Sequence, residues 1–600
     1  MIILIAGLVL LAAPFLLMDL FFDKKRGFIY VLFFSLLFQT ILAISIQACG
    51  LFYYSVAAGC TLFVDIILLL AYLKIKIKSK KHFSFNLKNI DWVIIIIVAI
   101  SLLSFYQVHY DYTGKMSLVS DAASSYHEVK NMAYSYPYFS DEWYAVSLIG
   151  GAISNHFLPV KDILNNSFFP NLELPFHSFM AQIMLILGLS PLLQYTALSI
   201  FLNTLIVLLV YLFLRINSIP RLTAGICSLF TIYITSGSNL PGLWQFVPFN
   251  LGIILFLLVL CFSEICDAKM VFLSVILASL FYPPLIPFYF IGLSVFLLGW
   301  IKIPKEKLLK KVLWTLLFLF FAVPIFYMLL MVSPLAGATS YILSKIFFVS
   351  FVAPFVSQMY FYNIIPIPAI LLAVLGIYYI SKNKKWILLS ELILGVVFWF
   401  FYTFTYYRFF IEYERIAIIT SVITVIVSGF GLWQLEKYVK FKFVKTGGNI
   451  FKILELVVLL IFLILIPFYT QGERWRSILA VYPATGAVAY PRSPANNYLT
   501  ADDLKIFKNI KNKTFLSLPW KGTVIGVATG NHPILTKQGT ISLGNQNVLN
   551  NFVKRNCVGK ENMVKKLELD YIYIYKFDCP GFKELSESSE GLVLYKVDKK

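Results

Sequence analysis

Charge is what this sequence has least of. Asp, Glu, Lys and Arg together make up 13% of 600 residues, against about 25% in soluble globular chains. With 59% hydrophobic residues and a mean hydropathy of +0.80, that shortage excludes a soluble enzyme of ordinary composition. It leaves a polytopic membrane protein. Acid is scarcer than base, 30 residues against 50, and only nine of the basic residues are arginine. The net charge of +20 does not point to nucleic acid, because no basic patch is interleaved with a soluble aromatic platform. The lysines stand instead in short runs between apolar segments: KIKIKSKK (74–81), KIPKEKLLKK (302–311), KNKK (382–385) and KYVKFKFVK (437–445). This is the positive-inside pattern, which predicts cytoplasmic loops.

Other absences narrow the reading further. The first run, MIILIAGLVLLAAPFLLMDLFF, has no basic n-region, and DKKR follows it. A first transmembrane helix with its N-terminus outside is therefore expected, not a cleaved signal peptide. Cys49, Cys60, Cys227, Cys261 and Cys266 lie in or beside apolar segments without metal-ligand spacing. The Gly-punctuated stretch LSLPWKGTVIGVATGNHP (516–533) lacks GxxxxGK[ST], so it is no P-loop and reads as a turn leading into a helix. No internal repeat or heptad run is present.

What is present is a series of apolar runs, to be set against the about 17–25 residues of one crossing. They fall at 2–21, 28–48, 51–73, 91–108, 174–189, 192–214, 221–236, 247–264, 270–283, 285–301, 312–332, 364–381, 387–405, 416–434 and 449–469. With the lysine loops inside, residues 109–173, 333–363, 406–415 and everything after 470 come out external. Runs 174–189 and 221–236 are short, and one of them is expected not to span fully. Pro283 and Pro284 should split what would otherwise be one long helix into two segments meeting at a turn. After Phe468 the composition turns polar. TADDLKIFKNIKN (500–512) predicts a helix opened by a Thr or Asp cap. LDYIYIYKF (569–577) and GLVLYKV (591–597) predict strands. A soluble external α/β domain follows from these, in which Cys557 and Cys579 are either disulfide-bonded or free thiols.

Three polar clusters stand out. In VSDAASSYHEVK (119–130), just beyond the run 91–108, Asp121 is either a general base near the outer membrane boundary or the cap of a helix through AASSYHEVKNMAY. His127 and Glu128 then lie on that helix, as ligands or as a solvated face. In YFSDEWYAVSLIGG (138–151), Asp141 and Glu142 suit the first turn of an interfacial helix. As a paired divalent-cation site they are poorly arranged, because adjacent helical residues point apart. In TYYRFFIEYERIAII (405–419), Arg408 and Arg415 bracket the start of a late helix. They offer planar forks for phosphate oxygens, or they snorkel beside Glu412 and Glu414.

Taken together these pieces resemble the GT-C superfamily of integral-membrane glycosyltransferases that use polyprenyl-phosphate-linked sugars. The resemblance rests on VSDAASSYH after an outward-going span, on re-entry through FPNLELPFHSFMAQIMLILGLSP (169–191), on the late arginines Arg408 and Arg415, and on a soluble C-terminal domain. It implies an α-helical polytopic membrane fold of about 14–15 transmembrane segments with a C-terminal soluble external α/β domain. Residues 1–90 would be N-terminal transmembrane helices, 91–470 a transmembrane catalytic core with the loop 109–173, and 471–600 the external domain. It implies sugar transfer from a polyprenyl-phosphate donor to a hydroxyl of a glycan, lipid or protein acceptor at the outer membrane face, with inversion. Asp121 would be the base, and His127, Glu128, Asp141, Glu142, His177, Arg408 and Arg415 would bind substrate. No cofactor is required by a monophosphate leaving group beside two cations; a divalent cation is the alternative. Two departures matter. The WWDYG motif is absent, which argues against an oligosaccharyltransferase of the asparagine-linked type. Asp121 is followed by Ala122 and Ala123, with no DxD or paired DE, so Asp141 and Glu142 compete with it. Other readings are a transporter or flippase, an O-antigen polymerase- or ligase-like protein of envelope polysaccharide assembly, and a non-catalytic membrane scaffold. A transporter would place ionisable residues inside the spans, where only Asp65 and Glu391 fall.

Overall fold

The structure is a computed structural model. It describes residues 1–18, 27–79, 91–110, 117–119, 126–128, 137, 140–162, 164, 167–168, 171, 173–234, 243, 245–300, 350–351, 365, 367–405, 407–408, 411, 413–442, 457, 499–536, 546–589 and 591–597. The apolar runs that fall within these residues are helical. They are α1 (Ile2–Met18), α2 (Gly27–Ala48), α3 (Tyr54–Ser79) and α4 (Trp92–Tyr110). After α5 (Ser140–Asn155) come α6 (Leu174–Leu187), α7 (Pro191–Ile216) and α8 (Arg221–Leu229). Next are α9 (Pro248–Ile265), α10 (Ala268–Phe281), α11 (Ile286–Trp300), α12 (Ile367–Lys382), α13 (Trp386–Thr405) and α14 (Tyr413–Lys442). Among the described residues five helices are long and apolar enough to cross a membrane, and seven shorter apolar helices accompany them. The expected span 312–332, and 449–469 apart from residue 457, lie outside the described residues. Of the two short runs, 221–236 is the more broken: α8 gives way to a 3₁₀ turn at Phe230–Tyr233. Pro283 and Pro284 divide α10 from α11 through a 3₁₀ turn at Pro283–Leu285, as their missing backbone donors dictate.

α9 is the central helix and is buried along almost its whole length between α2, α7, α10 and α11. α3 has the opposite character: Leu62, Phe63, Ile66 and Leu70 point outward, the expected face toward lipid tails. Apolar contact alone does not drive helices together in lipid, so polar pairs and close approaches matter more. Gln182 donates to Gln39 between α6 and α2 (3.3 Å), and Asn250 of α9 donates to Asn203 of α7 (3.4 Å).

The helix through AASSYHEVKNMAY that the cap reading of Asp121 needs is not formed at Tyr126–Glu128, which is β2, antiparallel to β1 (Ser117–Val119), with Leu118 opposite His127 and Val119 opposite Tyr126. Valine, tyrosine and histidine are indifferent helix formers, and the serines compete for backbone hydrogen bonds. Pairing with a nearby strand therefore wins. Two further two-residue ladders occur, β3 (Lys161–Asp162) with β4 (Ser167–Phe168), and β5 (Ser350–Phe351) with β6 (Tyr407–Arg408).

Residues 499–597 build a small α/β domain. Its sheet contains β7 (Thr514–Ser517), β8 (His532–Pro533), β9 (Tyr571–Tyr575), β10 (Phe582–Glu587) and β11 (Leu592–Val597), in the order β10-β11-β9-β7-β8. β7 is parallel to both neighbours, and the β9-β11-β10 side is antiparallel. Its helices are α15 (Ala501–Ile506), α16 (Pro519–Thr529), α17 (Gln546–Lys554) and α18 (Cys557–Lys566). Thr500 caps α15 as the sequence predicts, with the Asp503 carboxylate reaching back to the Thr500 N–H. The alternation of the strands sorts side chains onto two faces. Leu516, Ile572, Ile574, Val593 and Tyr595 pack with Phe552 and Val564 on one. Phe515, Tyr573, Leu592 and Leu594 pack with Leu499, Phe507, Val524 and Ile525 on the other. Cys557 and Cys579 are disulfide-bonded.

Candidate functional site

Helix α5 starts where its sequence predicts, with Asp141 and Glu142 in the first turn, where the positive end of the helix dipole favours acids. Its apolar face is not laid on a membrane surface. Trp143, Ala145, Val146, Ile149 and Ala152 are buried against protein, with α6, α7 and α16 as the neighbouring helices. Successive helical residues diverge by about 100°, and the two acids accordingly separate. Glu142 turns inward and is fully buried. Its Oε1 accepts hydrogen bonds from the Ser199 hydroxyl (2.7 Å) and from the Phe246 N–H (3.1 Å). Around it the Tyr195 hydroxyl donates to the Phe246 carbonyl, and Asn203 donates to the Gln245 carbonyl (3.0 Å). The Asn250 side chain accepts from the Val247 N–H (3.4 Å). The segment entering α9 is thus pinned by polar groups of α5 and α7.

Asp141 turns the other way, is 40% exposed, and faces Arg415, 22% exposed, with Oδ2 3.9 Å from Nη2. Arg415 stands in the first turn of α14, where the helix dipole disfavours a cation. Its compensation comes from other elements. Nη1 donates to the Tyr282 hydroxyl, and the guanidinium carbon lies 5.7 Å from the Phe249 ring centre and 5.5 Å from that of Tyr282. Such cation–π contacts add about 0.5–2 kcal/mol each. Gly252 is what lets Tyr282 come this close to α9: a methyl group there would sit 3.0 Å from the Tyr282 Cβ. The result is a planar fork of donors held by two rings and a carboxylate, suited to the oxygens of a phosphate or carboxylate ligand.

His177 is buried in α6. Its Nδ1 lies 3.0 Å from the Glu173 carbonyl and 3.2 Å from the Asn171 side-chain amide nitrogen. Its neighbour Phe176 meets it edge-on and also packs on Phe246, next to the Glu142 seam. Asp121 lies outside the described residues. His127 and Glu128 are placed only as backbone, in β2, and Arg408 likewise in β6. Of the residues singled out by sequence, then, Asp141 and Arg415 form an ion pair and Glu142 shares the helix turn of Asp141. Asp141 and Tyr282 reach Arg415 from other elements; of the local partners weighed for it, Glu412 and the Glu414 side chain lie outside the described residues. Sequence reasoning missed Ser199, Phe249, Tyr282 and Trp143. Asn203 and Asn250, amides inside apolar runs, were the available signal of a buried polar seam. Among the described residues no group of three His, Cys, Asp or Glu side chains is gathered as metal ligands would be, and the divergence of Asp141 and Glu142 gives the paired-carboxylate alternative no cage.

No family model matches the chain, and no curated protein matches it in sequence. Among solved structures, it is similar to the Archaeoglobus fulgidus oligosaccharyltransferase. The apo form aligns with a TM-score of 0.45 at 13% identity, over 86% of this chain and 75% of that one. The complex with Zn and sulfate aligns with a TM-score of 0.42 at 13% identity, over 84% and 73%. The form tethered to an acceptor peptide containing the NVT sequon aligns with a TM-score of 0.40 at 15% identity, over 85% and 74%. At these identities and scores nothing about the activity of this chain follows from the likeness.

Proposed function

We propose that this chain is a GT-C-type membrane glycosyltransferase that moves a sugar from a polyprenyl-phosphate donor to an acceptor hydroxyl at the outer membrane face. The observation that carries the reading is the Arg415 cradle: a guanidinium between Phe249 and Tyr282, ion-paired to Asp141, at the end of an apolar helix. An anionic headgroup attached to a lipid tail meets both needs of such a place, a phosphate for the fork and an apolar neighbourhood for the chain. Residues 91–470 would form the transmembrane core and 471–600 an extracytoplasmic domain.

In this reading the acceptor oxygen attacks the anomeric carbon and its proton passes to the base. The bond from that carbon to the phosphate oxygen breaks, leaving its electron pair on the phosphate. Arg415, with Arg408 as a second cation, stabilises the charge that develops there. Single displacement inverts the centre and puts base and leaving group on opposite faces of the sugar. Asp141, 3.9 Å from Arg415, belongs to the leaving-group side. That favours Asp121 over Asp141 as the base and makes Asp141 a group that orients Arg415 until phosphate arrives. Glu142, His127, Glu128 and His177 are assigned to holding the substrate or its surroundings, and no metal is required.

The test is transfer by the full chain in nanodiscs, from a panel of polyprenyl-phosphate sugars to membrane extracts. Asp121→Asn is expected to abolish transfer while the protein still inserts; near-normal transfer removes Asp121 from the role. Arg415→Ala removes charge-assisted hydrogen bonds of about 1.5–3 kcal/mol, so binding of polyprenyl monophosphate should weaken by about 10–150-fold. Unchanged binding would sink the phosphate assignment.

A further inference from the structure

Trp143 follows the two acids in the same turn of α5, yet it belongs to a different core. It is fully buried and shares a cluster with Leu499, Phe507, Phe515, Val524, Ile525 and Tyr573, all of the C-terminal domain. An indole from a segment near residue 140 therefore completes the interior of a domain that begins more than 350 residues later. A second tie runs beside it. Leu164 is buried where Gly526 of α16 leaves room, its side chain 2.7 Å from where a Cβ on Gly526 would stand, and the Leu164 carbonyl lies 3.3 Å from His532 Nδ1. On the far side of α5, Glu142 is bonded to Ser199 and Phe246, and Asp141 faces Arg415.

We propose that Trp143 is a positioning residue through which the C-terminal domain sets the rotation and depth of α5, and with it the approach of Asp141 to Arg415. The inference rests on the functional reading above for its consequence in catalysis, but not for its geometry. Three consecutive side chains point to three different bodies: Asp141 to α14, Glu142 to α7 and the start of α9, Trp143 to the C-terminal core. A helix held at three azimuths has no freedom to rotate, and releasing the largest of the three anchors frees the other two. The C-terminal domain thereby becomes part of the site without contributing a residue that touches substrate.

The experiment uses the full chain in nanodiscs as wild type, Trp143→Ala, Trp143→Phe and Val524→Ala. Val524→Ala trims the same core from the domain side and touches neither acid, and it carries the test if Trp143→Ala fails to accumulate. Hydrogen exchange of α5 and of α16 is followed by mass spectrometry, and modification of Arg415 by phenylglyoxal reads the shielding by Asp141. Trp143→Ala and Val524→Ala should each raise exchange in both helices at least tenfold and raise Arg415 modification at least threefold. Trp143→Phe should stay within threefold on every readout. With an active donor, Trp143→Ala should lower kcat at least tenfold while donor KM moves less than threefold. Loosening of α16 without α5 overturns the proposal, as does unchanged Arg415 modification, or an unchanged kcat in Trp143→Ala. Absence of transfer by the wild type would defeat the glycosyltransferase reading alone, because exchange and arginine modification still decide the coupling.

Discussion

Lys521 offers the sharpest test of how the C-terminal domain is held together. Its ammonium is 2.6 Å from Asp503 Oδ2, and both side chains are fully buried. The carboxylate also accepts hydrogen bonds from the Tyr573 hydroxyl (2.8 Å) and the Thr500 N–H (2.9 Å). Tyr573 belongs to the cluster that receives Trp143, so the network stands directly behind the contact with α5. Lys521→Met keeps the apolar stem and deletes the charge, leaving the buried Asp503 carboxyl without its cation and with two neutral donors. Breaking one side of a buried pair costs about 3–5 kcal/mol. For a domain of this size each kcal/mol is worth about 4–8 °C in Tm, so the C-terminal transition should fall by about 12–40 °C. Asp503→Asn in the same chain removes the stranded charge and keeps an acceptor for Tyr573 or Thr500. The double variant should therefore recover more than half of the loss. Calorimetry of the full chain in nanodiscs, with hydrogen exchange assigning the transition to β7 and β9, measures both numbers. A drop below about 5 °C, or a double variant no better than Lys521→Met, would refute the claim that the pair is dry and mutually dependent.

Three further outcomes are expected. Glu142→Leu strands the Ser199 hydroxyl and the Phe246 N–H, at about 1–3 kcal/mol each, whereas Glu142→Gln keeps an oxygen for both; thermal unfolding in nanodiscs should rank them Leu well below Gln and Gln near wild type. Replacing Cys557 and Cys579, 22 positions apart, by serine should cost the C-terminal domain about 3 kcal/mol, and reduction of the wild type should reproduce that loss. Hydrogen bonding to Ser589 holds the Asp502 carboxyl below its ordinary range. A depressed folded-state pKa stabilises above the unfolded value near 3.9 and is lost as pH falls through the folded one, so Asp502→Asn should flatten the acid limb of the domain's Tm profile. The exposed position keeps the effect below about 1 kcal/mol, and an unaltered slope between pH 4 and 2 would contradict it.

The apolar runs were legible because a helix in lipid satisfies its own backbone, and its signal is local hydropathy. The cap at Thr500, the break at Pro283 and Pro284, and the acidic start of α5 were legible for the same reason: the residues that cause them lie within a turn of their effect. Arg415 marks the limit. Its partners Asp141 and Tyr282 come from other elements, at sequence distances that no local pattern reports. Trp143 was invisible as an anchor for a related reason. An indole in an amphipathic stretch reads as an interfacial residue, and nothing near it announces that its pocket is built by β7, β9 and α16. The strand at Tyr126–Glu128 was not legible because its residues are weak helix formers whose structure is set by a partner strand, Ser117–Val119, beyond one helical turn in sequence.

The Arg415 region also bears on why these polar groups persist in so apolar a chain. A cation at a helix N-terminus and a fully buried carboxylate are each unfavourable taken singly. Here they arise on different elements, Arg415 on α14 and Glu142 on α5, and each is met by partners from elsewhere in the chain: Asp141, Tyr282 and Phe249 for one, Ser199 and the Phe246 N–H for the other. Mere helix adhesion would be served as well by apolar side chains of similar volume, since buried ion pairs seldom outperform them. Asp65 shows the contrast, buried in α3 with no hydrogen-bond partner for its carboxyl oxygens among the described residues. Two acids that diverge from one turn of α5, a helix that the C-terminal domain also contacts, and an arginine caged opposite one of them break the local rules together and in one place. Such departures concentrate where a chain does chemistry, and that concentration, more than any single residue, is what supports the proposed site between α5 and α14.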